Sequence, residues 1–175
     1  MRTVVLRVVA LALLLLLALV AALTVRTVRN LPDTAVYMIA SQGTRFTLAP
    51  VYRRAGRGDT RTKVERAVAA LAAGATPSEA ARGLASAVPA DTKVLGVTLQ
   101  GATLTVDLSG SFEVGGGSAS MVGRLNQLYY TLTRESGVDA VILEVEGRRV
   151  RVFGGEGIEV ASPWRRPASS ALPVW

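Results

Sequence analysis

The stretch VLGVTLQGATLTVDL, Val94 to Leu108, decides the fold, because apolar and polar side chains alternate on both sides of its centre. Alternation with a period of two is the pattern of a β-strand that places one face on a core. A turn at Gln100-Gly101 would place Val97 opposite Leu104, on the same face as the other valines and leucines. The stretch therefore predicts an antiparallel hairpin with one buried face.

A second stretch, around Glu146-Gly147, repeats this pattern. Leu143 precedes the turn and Val150 follows it, so that both fall on the apolar face of a second hairpin. The linkers that lead into the two hairpins differ in length, which makes the similarity structural rather than a tight sequence repeat. The sequence therefore predicts two hairpins of the same kind.

Each hairpin is preceded by a segment with helical periodicity. Asp59 to Thr62 supplies capping residues for the first helix, and Gly74 ends it. The second helix is expected near Ser118 to Arg134, with Gly137 as its cap. The predicted buried stripes are Val64, Ala67, Val68 and Leu71 in the first helix, and Met121, Val122, Leu125, Leu128, Tyr129 and Leu132 in the second.

An extra strand pair precedes these units: Ala35 to Ala40, a turn at 41–43, and Arg45 to Arg53. Hairpin faces and helical stripes need one another for burial, so the predicted class is α+β. We expect two helix–β-hairpin units plus an N-terminal strand pair, with the helices packed on antiparallel sheet and one hydrophobic helix before them. The domain is expected over 36–160, after a linker at 30–35, and the proline-containing tail 161–175 is expected to be flexible.

The N-terminal segment 1–29 contains an uncharged apolar run, Val8 to Val25, behind Arg2 and Arg7. A helix rises 1.5 Å per residue, so 18 residues span about 27 Å, close to the ~30 Å hydrocarbon core of a bilayer. A buried core helix would show a polar face, which this run lacks. We favour a retained transmembrane anchor; a cleaved signal peptide with a site near Val20-Ala21-Ala22 is the alternative. The larger C-terminal portion is expected to be exported.

The composition restricts the chemistry. The chain has 175 residues, a net charge of +7, and neither cysteine nor histidine. The absence of cysteine excludes disulfides, thiolate metal sites and lipid-modified cysteine. The absence of histidine excludes every Ser-His-Asp triad. We therefore predict no catalytic residues, no bound metal and no cofactor.

The order of motifs resembles the GerMN domain of bacterial sporulation and spore germination proteins. The similar segments are FTLAPVYR at Phe46 to Arg53, VPADTKVLGV at Val88 to Val97, ATLTVDLS at Ala102 to Ser109, and GVDAV at Gly137 to Val141. The resemblance covers about Val36 to Gly155. The resemblance implies an exported, membrane-tied protein. Many members of the family are lipoproteins, a route closed here by the absence of cysteine, and some take part in envelope assemblies during sporulation, a role that the resemblance does not by itself imply for this chain.

The densest basic stretch is the first candidate site. It is expected to contact anionic lipid or wall polymer, although a solvated loop and helix face would have the same composition. Nucleic acid is not expected as a partner, because only Tyr52 offers an aromatic platform there. The residues are Arg53, Arg54, Arg57, Arg61, Lys63 and Arg66.

Three weaker candidates remain. Asp107 and Glu113 are the nearest approach to a carboxylate pair, but a strand-end capping role explains them better than acid–base catalysis. The glycines of 115–117 could present N–H groups to an anion, or form a flexible helix entry with Ser118 as the cap. Tyr129 and Tyr130 point about 100° apart on a helix, so Tyr129 is expected in the core and Tyr130 at an interface.

Together these features predict a non-catalytic envelope module on the cytoplasmic membrane, single-pass through Val8 to Val25, with its domain extracytoplasmic, or secreted if the leader is cleaved. Its partners are expected to be an envelope protein or cell-wall polymer, and a homo-oligomer formed by sheet-edge pairing is open. One alternative is a cell-wall hydrolase or its accessory, which would need a carboxylate pair in a cleft. Another is an exported domain that binds a small ligand in an apolar pocket.

Overall fold

The computed structural model describes residues 2–29, 34–54, 56, 58–135, 137–155, 157–168 and 172–175, without the side chains of 2–6, 8–10 and 28–29. The chain divides into two compact units, Met1–Pro32 and Asp33–Trp175. The N-terminal unit is one helix, α1 (Arg2–Arg29), whose described leucines and valines are exposed. Among the described residues, no helix is both long and apolar enough to cross a membrane. The predicted anchor at Val8 to Val25 is therefore not supported, and its side chains 8–10 lie outside the described residues.

The predicted N-terminal strand pair is present, and its second strand has the predicted bounds. The first strand is longer than predicted and includes Ser41 and Gln42, so the turn lies at Gly43-Thr44 and not at 41–43. β1 (Thr34–Gln42) and β2 (Arg45–Arg53) pair antiparallel along their full length. A short strand, β3 (Leu84–Ala85), pairs with the other edge of β1 at Ala40 and Ile39. The result is a three-stranded sheet in the order β2-β1-β3.

The two predicted hairpins lie in a second sheet. It contains β4 (Val94–Gln100), β5 (Thr103–Leu108), β6 (Ala140–Val145), β7 (Arg148–Arg149) and β10 (Trp164–Arg165), in the order β10-β6-β5-β4 with β7 also on β6. β5 and β6 run parallel, so the sheet is mixed and not wholly antiparallel as predicted. Parallel neighbours need a long crossover, which the helix between these strands supplies. The separate pair β8 (Val152–Phe153) and β9 (Ile158–Glu159) follows.

The turn of the first hairpin lies one residue later than predicted, which shifts the pairing of the two strands by two residues. Gln100 pairs with Thr103 and Leu99 with Leu104, so the turn residues are Gly101 and Ala102. An even shift keeps Val97, Leu99, Leu104 and Val106 on one shared face. A bulge between Val94 and Gly96 takes Leu95 out of this alternation, and Leu95 and Leu99, both predicted to be buried, are exposed. The second turn lies at the predicted position, where Glu146 and Gly147 have φ of 50° and 72°, as a type I′ turn requires. That hairpin is short, because the chain leaves β6 after Val150.

The helices are close to their predicted positions. α2 (Thr60–Ala72) begins at Asp59, whose carboxylate accepts from the Thr62 N–H, and all four residues of its predicted stripe are buried. A short helix, α3 (Pro77–Ala80), follows, and a 3₁₀ turn covers Gly110–Glu113. α4 (Ser118–Leu132) is the crossover helix, and it is buried on more than its predicted stripe.

One large core joins the two sheets and the helices. It contains the inward residues of β1, β5 and β6 together with the stripes of α2 and α4. The opposite face of β1 packs a smaller cluster of Tyr37, Leu48 and Tyr130. Trp164, Leu172 and Trp175 cover this smaller cluster.

Several of the C-terminal residues, predicted to form a flexible tail, contact the domain. Trp164 pairs with Val141 in β10, and Val174 forms a bridge to Thr47. The prediction was based on prolines and serines, whereas the two tryptophans of the chain supply the apolar surface that holds this segment in place.

Candidate functional site

The candidate site is a cleft at one end of the sheet β2-β1-β3. Its volume is about 650 Å³, within the usual range of ligand pockets. Ile39, Ser41 and Phe46 line it from the sheet, and residues 85–87 line it from β3 and the segment that follows. Residues 117–120, which form the N-cap and the first turn of α4, line a further wall. Trp175 completes the cleft. No ionisable side chain is among these lining residues, so the cleft is suited to binding and offers no acid or base.

Trp175 holds one side of the cleft in place. Its backbone exchanges two hydrogen bonds with Phe46, of 3.0 and 3.1 Å, so that it extends the sheet at the outer edge of β2. Its indole Nε1 donates to the Ala119 carbonyl at 3.1 Å, and its ring lies 6.3 Å from the Phe46 ring. Trp175 therefore joins the edge of the sheet to the start of α4, and both aromatic rings line the cleft.

Gly123 allows this arrangement. A Cβ at this position would lie 2.7 Å from Ile39 Cδ1 and 3.0 Å from Trp175 Cζ2. A larger side chain would push α4 away from the sheet or displace the indole. The absence of a side chain at Gly123 thus sets the distance between the two walls of the cleft.

Arg124 holds the loop in front of α4. Its guanidinium is buried and donates to four carbonyls: Ala87 at 2.8 Å, Phe112 at 2.5 Å, Val114 at 3.1 Å and Gly115 at 2.9 Å. Burial lowers the pKa of this guanidinium from its ordinary value, yet an arginine stays charged at any physiological pH. One buried cation thus ties the segment after β3 to the loop that enters α4.

Gln127 and Thr131 replace a missing strand beside β1. Where β3 stops, the Tyr37 N–H donates to Thr131 Oγ1 at 3.0 Å, and Gln127 Nε2 donates to the Tyr37 carbonyl at 3.0 Å. Gln127 Oε1 also accepts from the Ala87 N–H at 2.7 Å. These buried side chains satisfy backbone groups that would otherwise lack partners in a water-free interior.

The predicted basic stretch is divided among several contacts. Arg53 makes a two-pronged bond to Glu79, 2.6 Å at each oxygen. Arg61 pairs with Glu65 at 2.7 Å, and Lys63 approaches Glu135 at 3.8 Å. Arg54 and Arg66 are exposed, and Arg57 lies outside the described residues. None of the described members lines the cleft, and contact of this stretch with anionic surfaces stays a prediction.

The Arg53–Glu79 pair gives a prediction for pH. The hydrogen bonds from Arg53 hold the pKa of Glu79 at about 2, below its ordinary value of 4.5; burial opposes this shift, and the Thr76 N–H adds to it. A depressed pKa stabilises the fold above pH 4.5 and loses that contribution as the pH falls towards 2. We expect Glu79→Gln to lower the free energy of unfolding by about 2 kcal/mol at pH 7, with the deficit shrinking between pH 4.5 and 2 in urea titrations.

The matched control for this pair is Glu65→Gln, which removes a carboxylate from an exposed i,i+4 pair on α2. Such a pair contributes only about 0.3–0.5 kcal/mol. If Glu79→Gln lowered the free energy of unfolding by the same amount at every pH, that result would contradict the ion-pair explanation.

The two carboxylates weighed for catalysis have structural partners. Asp107 Oδ1 accepts from the Gly147 N–H at 3.0 Å, across to the turn of the second hairpin. Glu113 lies 3.6 Å from Arg148 Nη2. Glu146 reciprocates by accepting from the Gly110 N–H at 2.7 Å. These carboxylates fix the turns at one end of the mixed sheet, which agrees with the capping role expected for Asp107.

The glycine-rich helix entry differs in one detail from the prediction. Gly117 is the N-cap of α4, without a side-chain cap, and Ser118 is the first helical residue. Within the described part of the chain, no three His, Cys, Asp or Glu side chains are grouped closely enough to hold a metal ion.

The two tyrosines are both buried. Tyr129 is in the core as expected and stacks on Trp164 with ring centroids 4.8 Å apart; burial raises the pKa of its hydroxyl. Tyr130, predicted at an interface, lies edge-on to Tyr37 at 5.7 Å and below the Arg166 guanidinium at 4.5 Å. The correction has a simple cause: the C-terminal segment, expected to be flexible, covers this side of α4.

Sequence reasoning missed the residues that build the cleft. The sequence pattern places Phe46 in a strand and Trp175 in the C-terminal tail, and it connects neither residue to a binding site. The wall residues at 85–87 and 117–120 are small and lie far apart in the chain, so no local pattern connects them. The most visible indication was a tryptophan at the end of an otherwise small and polar segment, since a tryptophan usually finds a partner surface.

Comparison with known proteins supports the resemblance. The family model Germane, described as sporulation and spore germination, matches residues 35–151. The first GerMN domain of the sporulation protein GerM from Bacillus subtilis aligns with a TM-score of 0.62 at 20% identity, over 76% of this chain and 96% of that one. The tandem GerMN domains of the same protein align with a TM-score of 0.61 at 20% identity, over 76% of this chain and 45% of that one.

A third solved structure is that of a provisionally assigned lipoprotein from Clostridium perfringens. It aligns with a TM-score of 0.54 at 16% identity, over 75% of this chain and 85% of that one. This chain spans about half the length of the tandem GerM protein. No sequence match to a curated protein is found. At these identities the solved structures support the predicted α+β fold.

Proposed function

Since the chain belongs to the Germane family of GerMN domains, we propose that residues 33–175 form a non-catalytic module of the cell envelope that binds a protein or a cell-wall polymer. The observation behind this proposal is the uncharged cleft beside Phe46 and Trp175. It offers aromatic and hydroxyl surface for contact, while the whole chain has no histidine or cysteine for chemistry.

The envelope location is part of the same proposal. Two solved structures with a similar fold are those of a sporulation protein and of a provisionally assigned lipoprotein. α1 exposes leucines along its described length, which fits an export leader that membrane components recognise. A role in sporulation or germination-like assembly, and self-association through sheet edges, belong to the proposal as its finer alternatives.

In-cell cross-linking of the full-length protein, followed by mass spectrometry, tests the proposal. We expect cross-links from residues near the cleft to an envelope protein, to wall material or to a second copy, and the mature N-terminus can be determined from the same sample. The result that overturns the proposal is a chain that cross-links to nothing in cells and sediments as a monomer at high concentration.

A further inference from the structure

We propose that the cleft binds a neutral, linear saccharide, with one sugar ring against Phe46 and Trp175. This inference rests on the proposed function and specifies the chemical class of ligand that the cleft would recognise. It follows from the charge, the surface chemistry and the shape of the cleft, and from the state of the neighbouring sheet edge.

The charge of the cleft favours a neutral ligand. The chain has a net charge of +7, yet none of the side chains that line the cleft is ionisable. An anionic group in the cleft would be expected to meet arginine, but Arg45 lines the second hollow and not the cleft, and Arg53 is committed to Glu79. A charged group placed in this cleft would lose water without gaining a partner.

The surface chemistry of the cleft matches a sugar ring. A pyranose has an apolar face of C–H groups and a rim of hydroxyls. The faces of Phe46 and Trp175 carry the negative quadrupole that attracts C–H groups. Ser41 and Ser120 supply hydroxyls that can both donate to and accept from the rim. The Ser86 hydroxyl already accepts from the Val88 N–H and from Gln127 Nε2, so it is available as a donor.

The shape indicates more than one sugar unit. A second hollow of about 280 Å³ shares Phe46 with the cleft and is lined by Gln42, Arg45, Thr47 and Val174 as well. Strand alternation places Gln42, Arg45 and Thr47 on the opposite face of β1 and β2 from Ser41 and Phe46. A linear chain of sugars that occupied both hollows would therefore pass around the end of this strand pair beside Phe46, with one ring on each side.

The neighbouring sheet edge argues against an extended peptide. A peptide that binds by strand addition needs free N–H and C=O groups on the edge of a sheet. At Phe46 both groups are already bonded to Trp175, and Thr47 forms a bridge with Val174. A peptide strand at this position would first have to displace the C-terminal segment, whereas a saccharide needs no sheet edge.

The test is calorimetric titration of the full chain, kept in solution by a detergent that has no sugar headgroup. The probe is the β-1,4-linked tetramer of N-acetylglucosamine, a soluble and uncharged glycan. We expect saturable binding, weakened about tenfold by Phe46→Leu, which keeps apolar surface but removes the aromatic face. Ala85→Phe, which places a bulky group in the cleft from an exposed position, is expected to abolish binding.

Tyr52→Leu is the matched control, because Tyr52 is an exposed aromatic on the same strand but lines a different hollow. Its affinity should equal that of the wild type, and unchanged melting temperatures should confirm that all three variants are folded. If Phe46→Leu fails to fold, Ala85→Phe alone decides.

Three results would overturn the inference: no binding by the wild type, equal loss in Phe46→Leu and Tyr52→Leu, or binding that Ala85→Phe leaves intact. Tighter binding of an uncharged tetrapeptide that competes with the glycan would assign the cleft to peptides instead. A cross-linked envelope partner in cells without glycan binding would remove only the saccharide inference and leave the proposed function in place.

Discussion

Replacing Arg124 with leucine is expected to lower the free energy of unfolding by about 3 kcal/mol, because four carbonyls, one of them fully buried and three partly buried, lose their donor at once. Replacing a buried ion pair by apolar residues can be neutral, since both charged partners disappear together. Here the acceptors are backbone carbonyls, which remain after the substitution. The two segments they belong to, 85–87 and 112–115, would lose their shared attachment to α4.

The measurement is urea unfolding of the full chain followed by tryptophan fluorescence, since both tryptophans lie in the unit Asp33–Trp175. Arg124→Lys is expected to recover little, because one ammonium cannot span carbonyls on two segments as the planar guanidinium does. Arg134→Leu is the matched control: Arg134 is exposed just beyond α4, and its loss should change stability by less than about 0.5 kcal/mol. An Arg124→Leu protein as stable as the wild type would show that water satisfies these carbonyls.

Local periodicity was sufficient to predict α2 and the hairpins. The stripe of α2 is buried at all four positions, because one side of this helix faces the core and the other faces water. From Val97 to Val106 the hairpin of β4 and β5 keeps its predicted faces despite the shift of the turn, because faces depend only on odd or even position. The bulge before Gly96 breaks this alternation at Leu95, which no local pattern indicated. In these elements one side faces the core and the other faces water, and the alternation of apolar and polar residues in the sequence is enough to predict which side is which.

Periodicity was insufficient for α4 and for the pairing between hairpins. α4 is buried on its apolar stripe and also at Arg124, Gln127 and Thr131, which are polar and have backbone partners far away in the sequence. The parallel pairing of β5 with β6 depends on the direction in which α4 crosses the sheet, and each hairpin has the same pattern for either pairing. Long-range polar contacts of this kind leave no local pattern.

In the candidate site too, local sequence patterns indicate some residues, and residues distant in the sequence are missed. The basic stretch was easy to find because its residues are neighbours in the sequence, yet its described members bind carboxylates or face solvent outside the cleft. The cleft is built from four distant segments, and most of its lining side chains are small. Small residues indicate space only after the fold has brought them together.

Replacing Gln127 with leucine is the second substitution for which we expect a large loss, about 3 kcal/mol, although the two side chains are similar in size. Gln127 is fully buried, and its loss leaves the Ala87 N–H and the Tyr37 carbonyl without partners. Each unsatisfied backbone group costs about 1–3 kcal/mol. Thr131 satisfies a different group of the same residue, the Tyr37 N–H.

Gln127→Glu separates this explanation from a packing defect. The new carboxylate can still accept from the Ala87 N–H, but when ionised it has no proton to donate to the Tyr37 carbonyl. Burial raises the pKa of such a group in the folded state, so the fold regains stability as the pH falls and the group becomes a donor. We therefore expect the Gln127→Glu deficit in urea unfolding to shrink below neutral pH, while that of Gln127→Leu stays constant.

Gln100→Leu, at an exposed position of β4, should change stability by less than about 0.5 kcal/mol. If Gln127→Leu matched this control, side chains of α4 would not be what completes the open edge of β1.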